Sequence, residues 1–242
     1  RAPHERGRWH PVDPDDPAPE IRRGTLADFV MRFGGIAFDM DGVLVDSGRC
    51  HASAFDRLWT DLGVDGPDYA DIAGRSTRDV VVEVTRGLGP DPLAIDAWVR
   101  TKQLLARDCL AHAEILFPDV EPTLDSLGDR YTLALVTGGS RPTVESTLAR
   151  YGLGETFSVV VTGDDVSEGK PAPEAYDRAA SAIVDTPDLM LVVEDSGNGI
   201  RSGLDAGAFV VSVRTGETQA HDRFLGAFES LTDAVSSLGL VG

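Results

Sequence analysis

Two aspartates stand two residues apart in Phe38-Asp39-Met40-Asp41-Gly42, directly after the apolar run Gly35-Ile36-Ala37-Phe38. At the end of a strand that opens into a turn, side chains at i and i+2 can face one cleft. One carboxylate can then attack while the other moves a proton. Two like charges this close would push one pKa up unless a cation neutralises them, so a divalent metal is implied. An all-oxygen ligand set favours Mg²⁺ over zinc. The plainer alternatives are an Asp-x-Asp-Gly turn that only bends the chain, or part of a calcium loop. The calcium reading fails: counted from Asp39, Val43 and Cys50 fall where that loop needs acids.

Further polar residues close later apolar runs. Val136-Thr137-Gly138-Gly139-Ser140 leads into a segment with Pro142 in its first turn. Thr137 with the N–H groups near Gly138 would make a phosphate cradle, or an ordinary helix cap. Lys170, in Glu168-Gly169-Lys170-Pro171, is one of only two lysines beside twenty arginines, the other being Lys102. It could span a carboxylate and a phosphate oxygen, or simply be solvated. Glu194-Asp195-Ser196 ends a buried run with two acids that a turn could bring to one ion. Asp195 or Ser196 could equally cap the helix that follows, and the two roles are compatible.

The elements needed to position these groups are legible. Gly35–Asp39, Tyr131–Thr137, Phe157–Thr162, Leu189–Glu194 and Phe209–Val213 are near-continuously apolar, as strands covered on both faces are. They alternate with helix-like segments, which predicts an α/β fold with a doubly wound parallel sheet and its ligand site at the carboxyl ends of the strands. About 90 residues separate the first two runs, too many for one crossover, so residues 49–115 are expected as an inserted α-helical cap. Ala54, Phe55, Leu58, Trp59 and Leu62, then Trp98, Leu104, Leu105 and Leu110, mark its helices. Residues 34–48 and 116–242 would form the core. Residues 1–33, rich in proline and aspartate, read as an irregular extension with one short helix over Ile21–Phe33.

Forty acidic against twenty-two basic residues give a formal charge of −18, which opposes nucleic-acid binding. No apolar run is long enough to cross a membrane, and no export signal is seen. Cys50 and Cys109 are too few and too far apart to suggest a disulfide scaffold or a zinc site, so reduced thiols and a cytoplasmic protein are expected.

Taken in order, Asp39-Met40-Asp41-Gly42, Thr137, Lys170-Pro171 and Glu194-Asp195 resemble the four motifs of the haloacid dehalogenase-like superfamily. The long insertion and His51 are similar to the β-phosphoglucomutase-like branch. The resemblance implies that Asp39 is a nucleophile forming an aspartyl-phosphate and that Asp41 is the acid–base. Thr137 and Gly138 would hold phosphoryl oxygens and Lys170 would steady the nucleophile. Mg²⁺ would be held by Asp39, Asp41 through its carbonyl, Glu194 and Asp195. In the cap, Gly74-Arg75-Ser76-Thr77-Arg78 resembles a substrate-contacting loop, Lys102 a second substrate cation, and His51 either an orienter of Asp41 or a satisfied helix histidine. Thr77 stands where β-phosphoglucomutase has an arginine gripping a distal phosphate, with Arg75 and Arg78 on either side. The implied activity is a phosphatase for a small phosphorylated metabolite, perhaps a sugar phosphate, acting as a monomer or weak homodimer. A mutase is the alternative. A catalytically silent binding protein is third, and a dehalogenase is disfavoured by Asp41.

Overall fold

All five apolar runs form strands: β1 (Gly35–Phe38), β2 (Thr132–Val136), β3 (Val159–Val161), β4 (Met190–Glu194) and β5 (Phe209–Val213). In this computed structural model, which describes residues 33–241, a sixth strand, β6 (Phe224–Phe228), adds to the edge. Every pairing is parallel and the order is β3-β2-β1-β4-β5-β6. The first 32 residues, and with them most of the expected extension and its short helix, lie outside the described residues. β6 escapes a periodicity reading because Gly226 interrupts it and its side chains are only partly buried.

Alternation along each strand splits the core into two layers. Ile36 and Phe38, with Leu133, Leu135, Leu191 and Val193, pack on one face, while Ala37, Ala134, Val136, Val192 and Val210 pack on the other. Of the helices, α1 (Gly48–Leu62), α2 (Tyr69–Ile72), α3 (Thr77–Thr85) and α4 (Pro92–His112) lie between β1 and β2. They share a separate small core of Phe55, Leu58, Trp59, Ile72, Val80, Val81 and Val99. The remaining helices are α5 (Val120–Gly128), α6 (Arg141–Arg150), α7 (Glu174–Ile183), α8 (Gly197–Asp205) and α9 (Leu231–Leu238). The first face of the sheet is covered by α5, α6 and α9, and the second by α7 and α8.

Two expectations are corrected. The buried stripe of α4 is Val99, Lys102, Ala106 and Leu110, whereas Leu104 is exposed, because α4 turns the Lys102 face toward α1. The cysteines are not free thiols: Cys50 and Cys109 form a disulfide with Cα atoms 5.5 Å apart. Packing of α1 on α4 brings the first turn of one beside the last turn of the other, so 59 residues of separation imply no distance in space. Among the described residues no helix is long and apolar enough to cross a membrane.

Candidate active site

The strand order reverses between β1 and β4, and open α/β sheets bind ligands at such a point, beyond the carboxyl ends. Asp39 follows β1 there and Glu194 closes β4. The Asp39 N–H donates to the Val193 carbonyl at 3.0 Å, continuing the ladder one residue past β1. Lys170 Nζ lies 2.6 Å from Asp39 Oδ1, 2.6 Å from Glu194 Oε1 and 3.0 Å from the Val136 carbonyl. All three side chains are buried. Burial disfavours the ammonium, but the two carboxylates outweigh it and hold the Lys170 pKa above its ordinary value.

Burial raises the Asp39 pKa, with the Lys170 charge opposing and the neighbouring acids adding to the rise. Burial and the charge of Glu194 push Asp195 up to about 8. Asp39, Glu194 and Asp195 each offer an oxygen within 4.8 Å of the others. A hard divalent cation fits this donor set, since it would offset the repulsion that raises both aspartates. Glu194 is the most committed of the three. Its Oε1 also accepts from the Tyr176 hydroxyl at 2.7 Å, and its Oε2 from the Asp195 and Ser196 N–H groups and the Ser196 hydroxyl.

Two glycines make this crowding possible. A Cβ at Gly42, which has φ +84°, would sit 1.8 Å from Asp195 Oδ2, and one at Gly199 would sit 1.8 Å from Glu194 Oε1. Ser196 accepts from the Gly199 N–H and so caps α8, one of the two capping candidates of the sequence, while its hydroxyl donates to Glu194 Oε2.

Asp41 faces a different set of partners. Ser47 Oγ donates to Asp41 Oδ1, and His51 Nε2 lies 3.3 Å from the same oxygen, outside good hydrogen-bond alignment. Thr137 Oγ1 lies 3.5 Å from Asp41 Oδ2 and accepts from the Gly139 N–H. Behind the imidazole, Lys102 Nζ is 2.8 Å from His51 Nδ1 and 4.4 Å from the Phe55 ring centroid. An ammonium can only donate, so it places the imidazole hydrogen on Nε2, toward Asp41. Burial would raise the Asp41 pKa, but the His51 ring beside it, the hydrogen bond from Ser47 and the Lys102 charge hold it at about 2. Burial lowers Lys102 to about 8, against the pull of Asp41.

The cap closes over this edge. Asn198 Nδ2 donates to the Ala73 carbonyl at 3.1 Å, Gly74 abuts Ser196, and the carbonyls of Gly74 and Arg75 approach Gly138. Asp39, Asp41, His51, Lys102, Gly74, Arg75, Thr77 and Gly138 thus line one small chamber with Phe55 and Tyr69. Arg78 does not line it. Both arginines beside Thr77 are engaged with carboxylates of the cap, Arg75 with Glu83 at 2.6 Å and Arg78 with Asp96.

Sequence reasoning passed over Ser47, Tyr69 and Tyr176, and offered Ser196 only as a helix cap. Ser47 and Ser196 sit beside the acid motifs and were open to discovery. Tyr176 is one residue of an apolar helix face, and nothing local marks its bond to Glu194. Lys102 carried a signal that is clear afterwards: it occupies the apolar stripe of α4.

Fold and site together define an α/β protein with a buried acidic cluster beyond the carboxyl ends of its strands. The chain belongs to the haloacid dehalogenase-like hydrolases, whose family profile matches residues 33–207. Validoxylamine A 7'-phosphate phosphatase of Streptomyces hygroscopicus subsp. limoneus is 32% identical over 188 residues, covering 74% of this chain and 84% of that protein. A phosphoglycolate phosphatase of Salmonella paratyphi A is 30% identical, covering 85% and 92%. Among solved structures, CbbY from Rhodobacter sphaeroides in complex with phosphate superposes with a TM-score of 0.69 at 28% identity, covering 82% and 94%.

Proposed function

We propose that this protein is a Mg²⁺-dependent phosphatase that hydrolyses the phosphate monoester of a small metabolite, a sugar phosphate or similar compound, through phosphorylated Asp39. The single observation that carries this reading is Lys170 held 2.6 Å from both Asp39 and Glu194, with Asp195 completing the carboxylate cluster. Phosphate-ester hydrolases among the relatives support the same chemistry.

Lys170 engages Asp39 Oδ1, leaving Oδ2 to attack phosphorus. As that bond forms, the ester P–O bond breaks and the leaving oxygen takes a proton from Asp41. Asp41 is a carboxylate in this arrangement, so it first accepts that proton from His51 Nε2 as the Lys102 ammonium passes one to His51 Nδ1. Asp41 then removes a proton from water, which attacks phosphorus and frees Asp39 and inorganic phosphate, and that proton returns through His51 to Lys102. Thr137 and the N–H groups after it hold phosphoryl oxygens. Mg²⁺ would be held by Asp39, Asp195 and the Asp41 carbonyl, with Glu194 behind them, and would supply the charge that offsets phosphoryl oxygens and carboxylates together.

The mutase alternative needs cations for a second phosphate. Arg75 and Arg78 are each committed to a carboxylate of the cap, which favours hydrolysis. We further propose a monomer or weak homodimer, with a small phosphorylated substrate and neither nucleic acid nor membrane as partner. Hydrolysis of p-nitrophenyl phosphate with Mg²⁺, and its disappearance in Asp39→Asn, is the test. Undiminished turnover in Asp39→Asn ends the proposal.

A further inference from the structure

The catalytic chamber is small, about 40 Å³, and Thr77 and Gly138 at its wall also line a second, open space. That space is a cleft of about 670 Å³ between cap and core. Its size is within the roughly 300–1,000 Å³ range of small-molecule sites. The chamber also shares Asp41, Tyr69 and Gly74 with a smaller space of about 220 Å³, so the roomiest direction for the alcohol of a phosphoryl group seated at Asp39 is past Thr77 into the cleft.

The cleft's chemistry is specific. One wall is a single face of α4, with Asp96, Val99, Arg100 and Gln103 at helical spacing; the opposite wall includes Ser140, Asp164 and Ser167 from the core. The only apolar side chains lining it are Val99 and Val166, and no aromatic ring is among them. The charged lining is two arginines, Arg78 and Arg100, against Asp79, Asp96 and Asp164. Arg78 is paired with Asp96, so a second phosphate, which calls for converging cations, would meet Arg100 alone beside a carboxylate excess. Side-chain amides and hydroxyls that both donate and accept, as at Gln103, Ser140 and Ser167, match hydroxyl groups.

We propose that the substrate is the phosphate monoester of a neutral, hydroxyl-rich alcohol larger than a monosaccharide, disaccharide-sized, whose second ring lies in this cleft against Gln103 and Arg100. The proposal rests on the phosphatase reading above, and names the substrate class of that site.

The test compares p-nitrophenyl phosphate, glucose 6-phosphate, trehalose 6-phosphate and fructose 1,6-bisphosphate on wild type and on Gln103→Trp, which fills the cleft from the face of α4 that lines it. We expect kcat/KM for the disaccharide ester to exceed that for either monosaccharide ester by tenfold or more. Gln103→Trp should cut the disaccharide value at least tenfold and leave p-nitrophenyl phosphate within twofold. Arg100→Ala, a milder change, should lower the disaccharide value several-fold through KM. Preference for the bisphosphate, or a Gln103→Trp effect equal on all esters or absent from all, overturns the proposal while leaving the phosphatase reading standing. Failure of wild type to hydrolyse p-nitrophenyl phosphate overturns both.

Discussion

Lys102 Nζ lies 2.8 Å from His51 Nδ1, so a cap helix fixes the tautomer of a ring whose other nitrogen faces Asp41 in the core. The contacts of His51 with Lys102 and Asp41 therefore form only when cap and core are together. With Lys102 near 8, its ammonium is present below that pH and lost above it. Activity toward a sugar phosphate should fall as pH rises through about 8, and Lys102→Met should remove that limb while lowering kcat. A pH–rate profile on both proteins decides this; an unchanged alkaline limb in Lys102→Met contradicts it.

The Asp41 carboxyl is expected to matter most when the leaving group is a poor one. Asp41→Asn should reduce kcat for a sugar phosphate by about 10²–10⁴-fold, the usual worth of general acid–base help. The loss should be much smaller with p-nitrophenyl phosphate, whose oxygen leaves without a proton. Equal losses on both esters would move Asp41 out of the proton-transfer role.

Lys170 neutralises two buried acids, so its removal should be felt by the fold as well as by turnover. Lys170→Ala leaves Asp39 and Glu194 facing one another without their cation, and breaking a buried pair costs about 3–5 kcal/mol. Urea unfolding measures it. Combining it with Glu194→Gln should recover part of the stability but none of the activity, since the repulsion is relieved and the nucleophile's partner stays absent.

Metal binding should carry a proton signature. Asp195 near 8 must lose its proton to serve as a ligand, so the apparent Mg²⁺ affinity should strengthen as pH rises from about 6 toward 8. Saturating Mg²⁺, at about 100 times Kd, should stabilise the protein by about 2.7 kcal/mol. Asp195→Asn should abolish both effects in calorimetry and in thermal melts. A pH-independent affinity would remove Asp195 from the ligand set.

The Cys50–Cys109 bond closes a loop of 59 residues, for which loop-closure entropy gives about 4 kcal/mol of stabilisation. Reduction should expose two thiols to a thiol reagent under denaturing conditions and lower the urea midpoint. Cys50→Ser should match the reduced protein. Two titratable thiols in unreduced protein would show the bond to be absent in solution.

The sequence by itself determined the strand-end chemistry and the layered core. Asp39-x-Asp41-Gly42, Thr137, Lys170 and Glu194-Asp195 each abut an apolar run or a helix start, and near-continuous apolarity is a local signal of a strand buried on both faces. The size of the insertion followed from a count of residues between β1 and β2. What local pattern could not carry was distance between remote segments. Cys50 and Cys109 are far apart along the chain and bonded in space, Lys102 resembles a second substrate cation and reaches His51, and Tyr176 reads as core and holds Glu194. Arg75 and Arg78 look like phosphate grips until Glu83 and Asp96 are seen to engage them. Each of these depends on how helices of the cap and core pack, and packing is decided by the summed contacts of whole faces rather than by any short stretch of chain.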